Sequence, residues 1–132
     1  MSSDMDERTL REIYLRGFEI VIREASPKAV MTAYNKINNV YCPNNGDLID
    51  MILRREWGFD GIVMTDWLST GEDRARNADC IANGIDLIMP GGSGVWKELA
   101  KAHKAGKLSG DAIGRAAYNV LKLVLNSQIK VE

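Results

Sequence analysis

The stretch GIVMTDWLST combines residues that could do chemistry with residues that build a protein interior. The apolar residues 62–64 are typical of a buried strand, and Asp66 and Trp67 come directly after them. Burying a carboxylate costs free energy unless the group is paired or hydrogen-bonded. Asp66 is therefore either a functional acceptor or nucleophile, or simply a residue that caps the next helix or starts a turn.

Two further predicted strands end in side chains that suit a ligand site. Tyr34 lies at the end of AVMTAYN, and Met89 lies near the end of IDLIMPGG. Parallel strands of α/β proteins bring their carboxyl ends to one rim, where active sites lie. We expect Asp66, Tyr34 and Met89 to meet there, with Trp67 beside them. A carboxylate with aromatic faces suits a neutral polyol, although core packing is the alternative for the aromatic residues and for Met89.

Strand alternation also predicts which residues face the interior below this rim. In strands, every second side chain points to the same face. The expected inward row consists of Val30, Thr32, Ile62, Met64, Ile85 and Leu87.

The elements that must position these residues alternate along the chain. Apolar residues at three- and four-residue steps predict a helix over residues 6–25, with Asp4 or Asp6 as its cap. Further helices are expected over residues 46–59 and 71–84, and in two segments after residue 94, the last capped by Ser109. Three short apolar strands separate them. This pattern indicates an α/β fold with parallel strands, either a doubly wound sheet or a piece of a (β/α)8 barrel.

Composition narrows the class of protein. The 132 residues, 45% of them hydrophobic, fit a single α/β domain over 1–132. The net charge of -1 offers no footprint for nucleic acid, and no apolar run is long enough to cross a membrane. The start MSSDMDERTL lacks the regions of a signal peptide, so we expect a cytoplasmic location.

The metal-binding residue types are too few for a typical metal centre. There is one histidine, His103, and the two cysteines, Cys42 and Cys80, do not have the spacing of metal ligands. The cysteines are interpreted as reduced thiols or at most one incidental disulfide. A metal site with several histidine ligands is therefore excluded.

Three segments, in this order and spacing, carry a family resemblance: VMTAYNKINNVYC, LRREWGFDGIVMTDW and NGIDLIMPG. They closely resemble the C-terminal half of the barrel domain of glycoside hydrolase family 3, the β-glucosidase family, and the resemblance covers residues 6–128. It implies a partial (β/α)8 barrel with about three parallel strands alternating with helices. By the same resemblance, Asp66 is the catalytic nucleophile, and Tyr34 and Trp67 border the sugar.

The resemblance implies retaining hydrolysis of a β-glucoside or related oligosaccharide without a cofactor. Asp66 would form a glycosyl ester, and a second carboxyl group would protonate the leaving oxygen. Family members hold the sugar with a Lys-His pair, an Arg and an Asp from the upstream half of the barrel, and take the acid from a later domain. None of these has a counterpart here, and neither Glu56 nor Glu72 is expected to replace the acid.

Two hypotheses therefore remain. The chain is part of a β-glucosidase-like hydrolase and is inactive alone, or it is a non-catalytic half-barrel that self-associates or binds sugar weakly. In both cases the open sheet edges predict a homodimer or the missing half of the barrel as partner.

Overall fold

The computed structural model describes residues 2–127 as a mixture of helices and short strands. The predicted first helix is present as three consecutive segments: α1 (Glu7–Thr9), a π-helical segment (Leu10–Tyr14) and α2 (Arg16–Ala25). Asp6 caps it, because its side chain accepts a hydrogen bond from the backbone N–H of Thr9 at 2.7 Å. Of the two caps considered, Asp6 is the one used.

The described strands form two small sheets. They are β1 (Ser2–Ser3), β2 (Ala29–Met31), β3 (Lys36–Ile37), β4 (Val40–Tyr41) and β5 (Ile62–Met64). β2 and β5 run parallel, as predicted, and the predicted rim lies beyond their carboxyl ends. The sheet β1–β3–β4 was not predicted from the sequence; it ties the start of the chain to the loop after β2.

The register of β2 against β5 corrects the predicted inward row. Val30 lies opposite Val63, and Met31 lies opposite Met64. Val30 therefore shares the helix-covered face of Val63, whereas Met31 is 47% exposed on the other face. A difference of one residue in register moves every side chain to the opposite face, and the local pattern alone does not set that register.

The predicted third strand is reduced to one parallel bridge between Leu87 and Met64. Ile85, a member of the predicted inward row, is fully buried in the core cluster. The third helix is also shorter than predicted: α3 spans Asn77–Ala82, and residues before it form a loop with a bridge between Thr70 and Ala75.

The remaining helices cover the sheet and create the core. They are the π-helix Asp47–Glu56, α4 (Ser93–Lys104) and α5 (Gly110–Asn126). Ser109 caps α5 as predicted, accepting from the N–H of Ala112 at 3.1 Å. The buried core cluster includes Ile22, Ile49, Leu53, Phe59, Val63, Cys80, Ile81, Ile85, Ile88 and Leu108.

One buried carboxylate joins these layers. The side chain of Asp86 is 0% exposed, and its Oδ2 accepts from Arg54 at 2.5 Å and from the backbone N–H of Val63 at 2.9 Å. Its Oδ1 accepts from Asn119 at 2.9 Å and lies 3.9 Å from Nε of Arg115. Asp86 thus links the π-helix, β5 and α5, and its carboxylate takes a place in the sheet ladder that a strand carbonyl would otherwise fill.

Cys42 and Cys80 are both buried free thiols, which agrees with the reduced interpretation. Burial raises the pKa of Cys80 to about 12, so this thiol stays protonated and unreactive. In the part of the chain that the structure describes, no helix is both long and apolar enough to span a membrane.

Replacing Asp86 by alanine is expected to lower the free energy of unfolding by about 3–5 kcal/mol, because the cationic Arg54 side chain would lose its buried partner. Urea denaturation followed by circular dichroism measures the change.

The matched control is Asp79→Ala, which breaks the Asp79–Arg76 pair at the surface. That variant is expected to lose about 0–1 kcal/mol. Equal losses in the two variants would contradict the role assigned to Asp86.

Candidate active site

Asp66 lies directly beyond the carboxyl end of β5, with its side chain half buried. Its Oδ1 accepts hydrogen bonds from the backbone N–H of Trp67 at 2.7 Å and from the Tyr34 hydroxyl at 3.1 Å. Among residues 2–127, every hydrogen bond to this carboxylate falls on Oδ1. Oδ1 is therefore anchored by the protein, whereas Oδ2 accepts no hydrogen bond from the described residues.

Tyr34 reaches Asp66 from the loop after β2 rather than from the strand itself, since β2 already ends at Met31. Its single hydroxyl proton is shared between two acceptors, the backbone carbonyl of Trp67 at 2.5 Å and Asp66 Oδ1 at 3.1 Å. Loss of water around the hydroxyl and the negative charge of Asp66 raise the pKa of Tyr34 above its usual value. The phenol therefore stays protonated and acts as a donor at neutral pH.

Trp67 and Met89 complete the set predicted from the sequence. The Trp67 side chain is 54% exposed beside the carboxylate that its own N–H anchors. Met89 is half buried and is held by its backbone: its N–H donates to Thr65 Oγ1 at 2.8 Å, and its carbonyl accepts from Leu68 at 3.1 Å. The structure therefore brings Asp66, Tyr34 and Trp67 together at one rim, and it ties the Met89 backbone to the same turn.

Two buried hydroxyls at this rim were not singled out from the sequence. Thr65 is 0% exposed and Ser69 is 2% exposed, and they flank Asp66 on either side. The Ser69 hydroxyl donates to the backbone carbonyl of Asp66 at 3.0 Å. The sequence gives only one hint of this arrangement, the hydroxyl of Thr65 at the end of the apolar residues 62–64. Such a hydroxyl is common in strands that carry no functional site.

The loop that follows Asp66 is held in place by its own contacts. Arg74 donates through Nη1 to the carbonyl of Leu68, and the Tyr41 hydroxyl donates to the carbonyl of Asp73 at 3.0 Å. These contacts occupy residues that the sequence had assigned to the third helix. An exposed cation, Arg74, is thereby fixed close to the exposed Leu68 on the same rim.

Neither acidic residue near the motif in sequence has the surroundings of a catalytic acid. Arg11 binds Glu56 through two hydrogen bonds, at 2.6 and 2.9 Å, and this pairing lowers the pKa of Glu56. A general acid at neutral pH needs the opposite shift. Glu72 is exposed on the loop. Within the described range there is also no group of three His, Cys, Asp or Glu side chains placed to hold a metal ion.

Comparison with known proteins gives one consistent family. The family model described as "Glycosyl hydrolase family 3 N terminal domain" matches residues 1–123. A beta-glucosidase of Rhizobium radiobacter is 44% identical over 128 residues, which cover 94% of this chain and 15% of that protein. Thermostable beta-glucosidase B of Acetivibrio thermocellus is 43% identical over 121 residues, covering 91% of this chain and 16% of that protein. The chain thus spans a small part of the relatives that it matches.

Solved structures give the same result. Beta-glucosidase 3B of Thermotoga neapolitana, in complex with glucose, superposes with a TM-score of 0.88 at 41% identity, over 96% of this chain and 18% of that one. The beta-glucosidase of Bifidobacterium adolescentis superposes with a TM-score of 0.83 at 32% identity, over 94% of this chain and 18% of that one. As its motifs predicted, the chain belongs to glycosyl hydrolase family 3.

Proposed function

We propose that this chain carries the nucleophile of a retaining glycoside hydrolase that acts on β-glucosides, and that Asp66 is that nucleophile. The observation that carries the proposal is that the two oxygens of one carboxylate differ: Oδ1 accepts two hydrogen bonds, whereas Oδ2, just beyond the carboxyl end of β5, accepts none from residues 2–127. The names of the relatives support the substrate class, since they are beta-glucosidases and one was solved with glucose.

The proposed reaction is the two-step mechanism of retaining glycoside hydrolases. Asp66 Oδ2 forms a bond to the anomeric carbon of the sugar while the bond from that carbon to the leaving oxygen breaks. The electron pair stays with the leaving oxygen, which takes a proton from a general acid. Water then hydrolyses the glycosyl ester and returns the carboxylate. In retaining enzymes the acid lies roughly 5–5.5 Å from the nucleophile.

The two donors on Oδ1 serve this reaction by fixing the carboxylate in one orientation. Because Tyr34 donates only while its phenol is protonated, its raised pKa keeps this contact intact through neutral and mildly alkaline pH. Trp67 is 54% exposed, and its backbone N–H donates to the same carboxylate. Aromatic faces stack on the CH groups of sugars, so Trp67 and Tyr34 are proposed substrate-binding residues. Met89, whose backbone is tied to the same turn, is proposed as an apolar neighbour of the substrate.

In this proposal residues 1–132 form a single domain that makes up part of a (β/α)8 barrel. The parallel pairing of β2 with β5, extended by the bridge at Leu87, supports about three strands of such a barrel. The acid and the groups that clamp the sugar hydroxyls would come from outside the chain, because Glu56 is bound by Arg11 and Glu72 is exposed. The chain alone is then not an efficient hydrolase.

A second candidate role, self-association, is supported by the amount of exposed apolar surface. The accessible surface is 8685 Å², whereas a compact monomer of 14.7 kDa exposes about 6,900 Å². Large apolar side chains contribute to this excess on α2 and on the open face of the sheet, among them Phe18, Val21 and Met31, which are 59%, 51% and 47% exposed. Either a second copy or the rest of a barrel would cover these side chains.

The pKa of Tyr34 is expected to fall when Asp66 is replaced by asparagine. The substitution removes the negative charge that disfavours the phenolate, although the effect of partial burial remains. NMR titration of ring-labelled tyrosine measures the change, and Tyr34→Phe assigns the signal. An unchanged pKa would mean that the two side chains do not touch in solution.

A 2-deoxy-2-fluoro-β-glucoside with a dinitrophenolate leaving group is expected to label Asp66, because such a leaving group needs little help from an acid. Intact mass spectrometry and peptide mapping would show one added fluoroglucosyl group on the peptide that contains Asp66. Asp66→Asn is the matched control and should remain unlabelled. Label on another residue would rule out the assignment.

Cellobiose tests the opposite case, because its leaving group is an unactivated glucose that needs a general acid. General acid catalysis contributes roughly 10²- to 10⁴-fold, so the chain alone should not release glucose from cellobiose at a useful rate. Rapid release that disappears in Asp66→Asn would show that an acid is present after all.

In solution the isolated chain is expected to associate, most simply as a two-fold dimer. Light scattering at micromolar concentrations would give a mass above the 14.7 kDa of one chain. A Phe18→Glu, Val21→Glu double variant would locate the interface on α2 if it restored the monomer. A single monomeric species with cooperative unfolding in the unmodified chain would exclude this role.

A further inference from the structure

Three hydrogen bonds connect the turn that carries Asp66 to the segment around Met89. Thr65 donates its N–H to the carbonyl of Leu87 at 3.0 Å, and Leu68 donates to the carbonyl of Met89 at 3.1 Å. Between them, the N–H of Met89 donates to Thr65 Oγ1 at 2.8 Å. The middle contact is the only one of the three whose acceptor is a side chain.

This side-chain acceptor lets the backbone leave strand geometry at Asp66. In a regular parallel ladder the N–H of Met89 would bond to a backbone carbonyl of the neighbouring strand. The hydroxyl of Thr65 takes the place of that carbonyl. Beyond it, the carbonyl of Asp66 accepts from the N–H and the hydroxyl of Ser69, at 3.3 and 3.0 Å, which closes the turn. Both flanks of Asp66 are therefore held by buried hydroxyl groups.

Loss of the hydrogen bond between the Met89 N–H and Thr65 Oγ1 would change the structure around Asp66. Thr65 is 0% exposed, and the contact with Met89 is partly buried. A backbone N–H that loses its acceptor away from water does not regain it from solvent, so the local structure must move. The neighbouring turn contains Leu68, a non-glycine residue that holds a left-handed conformation at φ 58°, so its backbone is strained.

We propose that Thr65 is a positioning residue of the active site: its buried hydroxyl holds Met89 against the turn and so sets the direction of the Asp66 carboxylate. For its effect on rate, this inference rests on the proposed function. Its geometric content, which is the placement of the carboxylate beside Tyr34, stands independently of any reaction.

Two substitutions separate the hydroxyl from the volume of the side chain. Thr65→Val keeps the shape and removes the acceptor, whereas Thr65→Ser keeps the acceptor and removes a methyl group. Thr9→Val makes the same substitution at the end of α1. It controls for effects of replacing a threonine that do not involve the rim. All variants would first be compared with the unmodified chain by circular dichroism and thermal unfolding.

The first readout is the labelling of Asp66 by the dinitrophenyl 2-deoxy-2-fluoro-β-glucoside. Misplacing a reacting group by about 1 Å costs up to roughly 100-fold in rate, so the maximal labelling rate of Thr65→Val should fall by about 10- to 100-fold. The reagent concentration at half-maximal rate should change much less. Thr65→Ser and Thr9→Val should stay near the unmodified rate. A folded Thr65→Val that labels at the unmodified rate would overturn the proposal.

The second readout is the pKa of Tyr34, which reports the position of the Asp66 carboxylate without any reaction. Thr65→Val should lower this pKa and Thr65→Ser should not; equal values in both variants and the unmodified chain would overturn the proposal. If the unmodified chain does not label, the proposed function fails and this readout still decides the role of Thr65. If Thr65→Val does not fold, hydrogen exchange at the Met89 amide decides in the unmodified chain, where rapid exchange would exclude the contact.

Discussion

The buried carboxylate of Asp86 is the interaction on which the rest of the structure depends. A fully buried charge is tolerated only with partners on its oxygens, and here Arg54, Asn119 and the N–H of Val63 supply them. Each partner belongs to a different element: the π-helix, α5 and β5. Satisfying one carboxylate therefore fixes the positions of two helices against the strand that leads to the candidate active site.

A similar substitution occurs at the rim, where a side-chain oxygen again accepts a hydrogen bond from a backbone N–H. Below it, the Asp86 carboxylate replaces a ladder carbonyl for Val63, and at the rim the Thr65 hydroxyl replaces one for Met89. Regular pairing between β5 and the next strand is thereby limited to a single bridge, Met64–Leu87. Regular strand pairing therefore ends below the turn that carries Asp66. In that turn Oδ1 of Asp66 accepts hydrogen bonds, and Oδ2 accepts none from the described residues.

Much of the site could be predicted because it depends on general rules. The carboxyl ends of parallel strands meet at one rim, and this rule, together with the family motifs, was enough to group Asp66 with Tyr34 and Trp67. Helix caps such as Asp6 and Ser109 were also predictable, because capping depends on residues close in sequence. The catalytic and sugar-binding roles of these rim residues stay predictions.

Other features depend on contacts between distant residues. Val30 was assigned to the wrong face because the register against Val63 is set by packing, which alternation within one strand does not reveal. Asp86 stands in an apolar run and looks like any strand residue; its partner Arg54 lies 32 positions away. The predicted third helix began too early. Arginine favours helices, but in the fold the Arg74 side chain donates to the carbonyl of Leu68 and holds the loop.

The claim that Asp66 is the nucleophile has a direct chemical test. An Asp66→Gly variant would be incubated with sodium azide and dinitrophenyl β-glucoside, and the product would be examined by proton NMR. Azide that replaces the missing carboxylate attacks from the same side as Asp66 Oδ2 and inverts the anomeric carbon. The account therefore predicts α-glucosyl azide, formed only in the variant. A β-glucosyl azide, or azide product formed equally well by the unmodified chain, would contradict it.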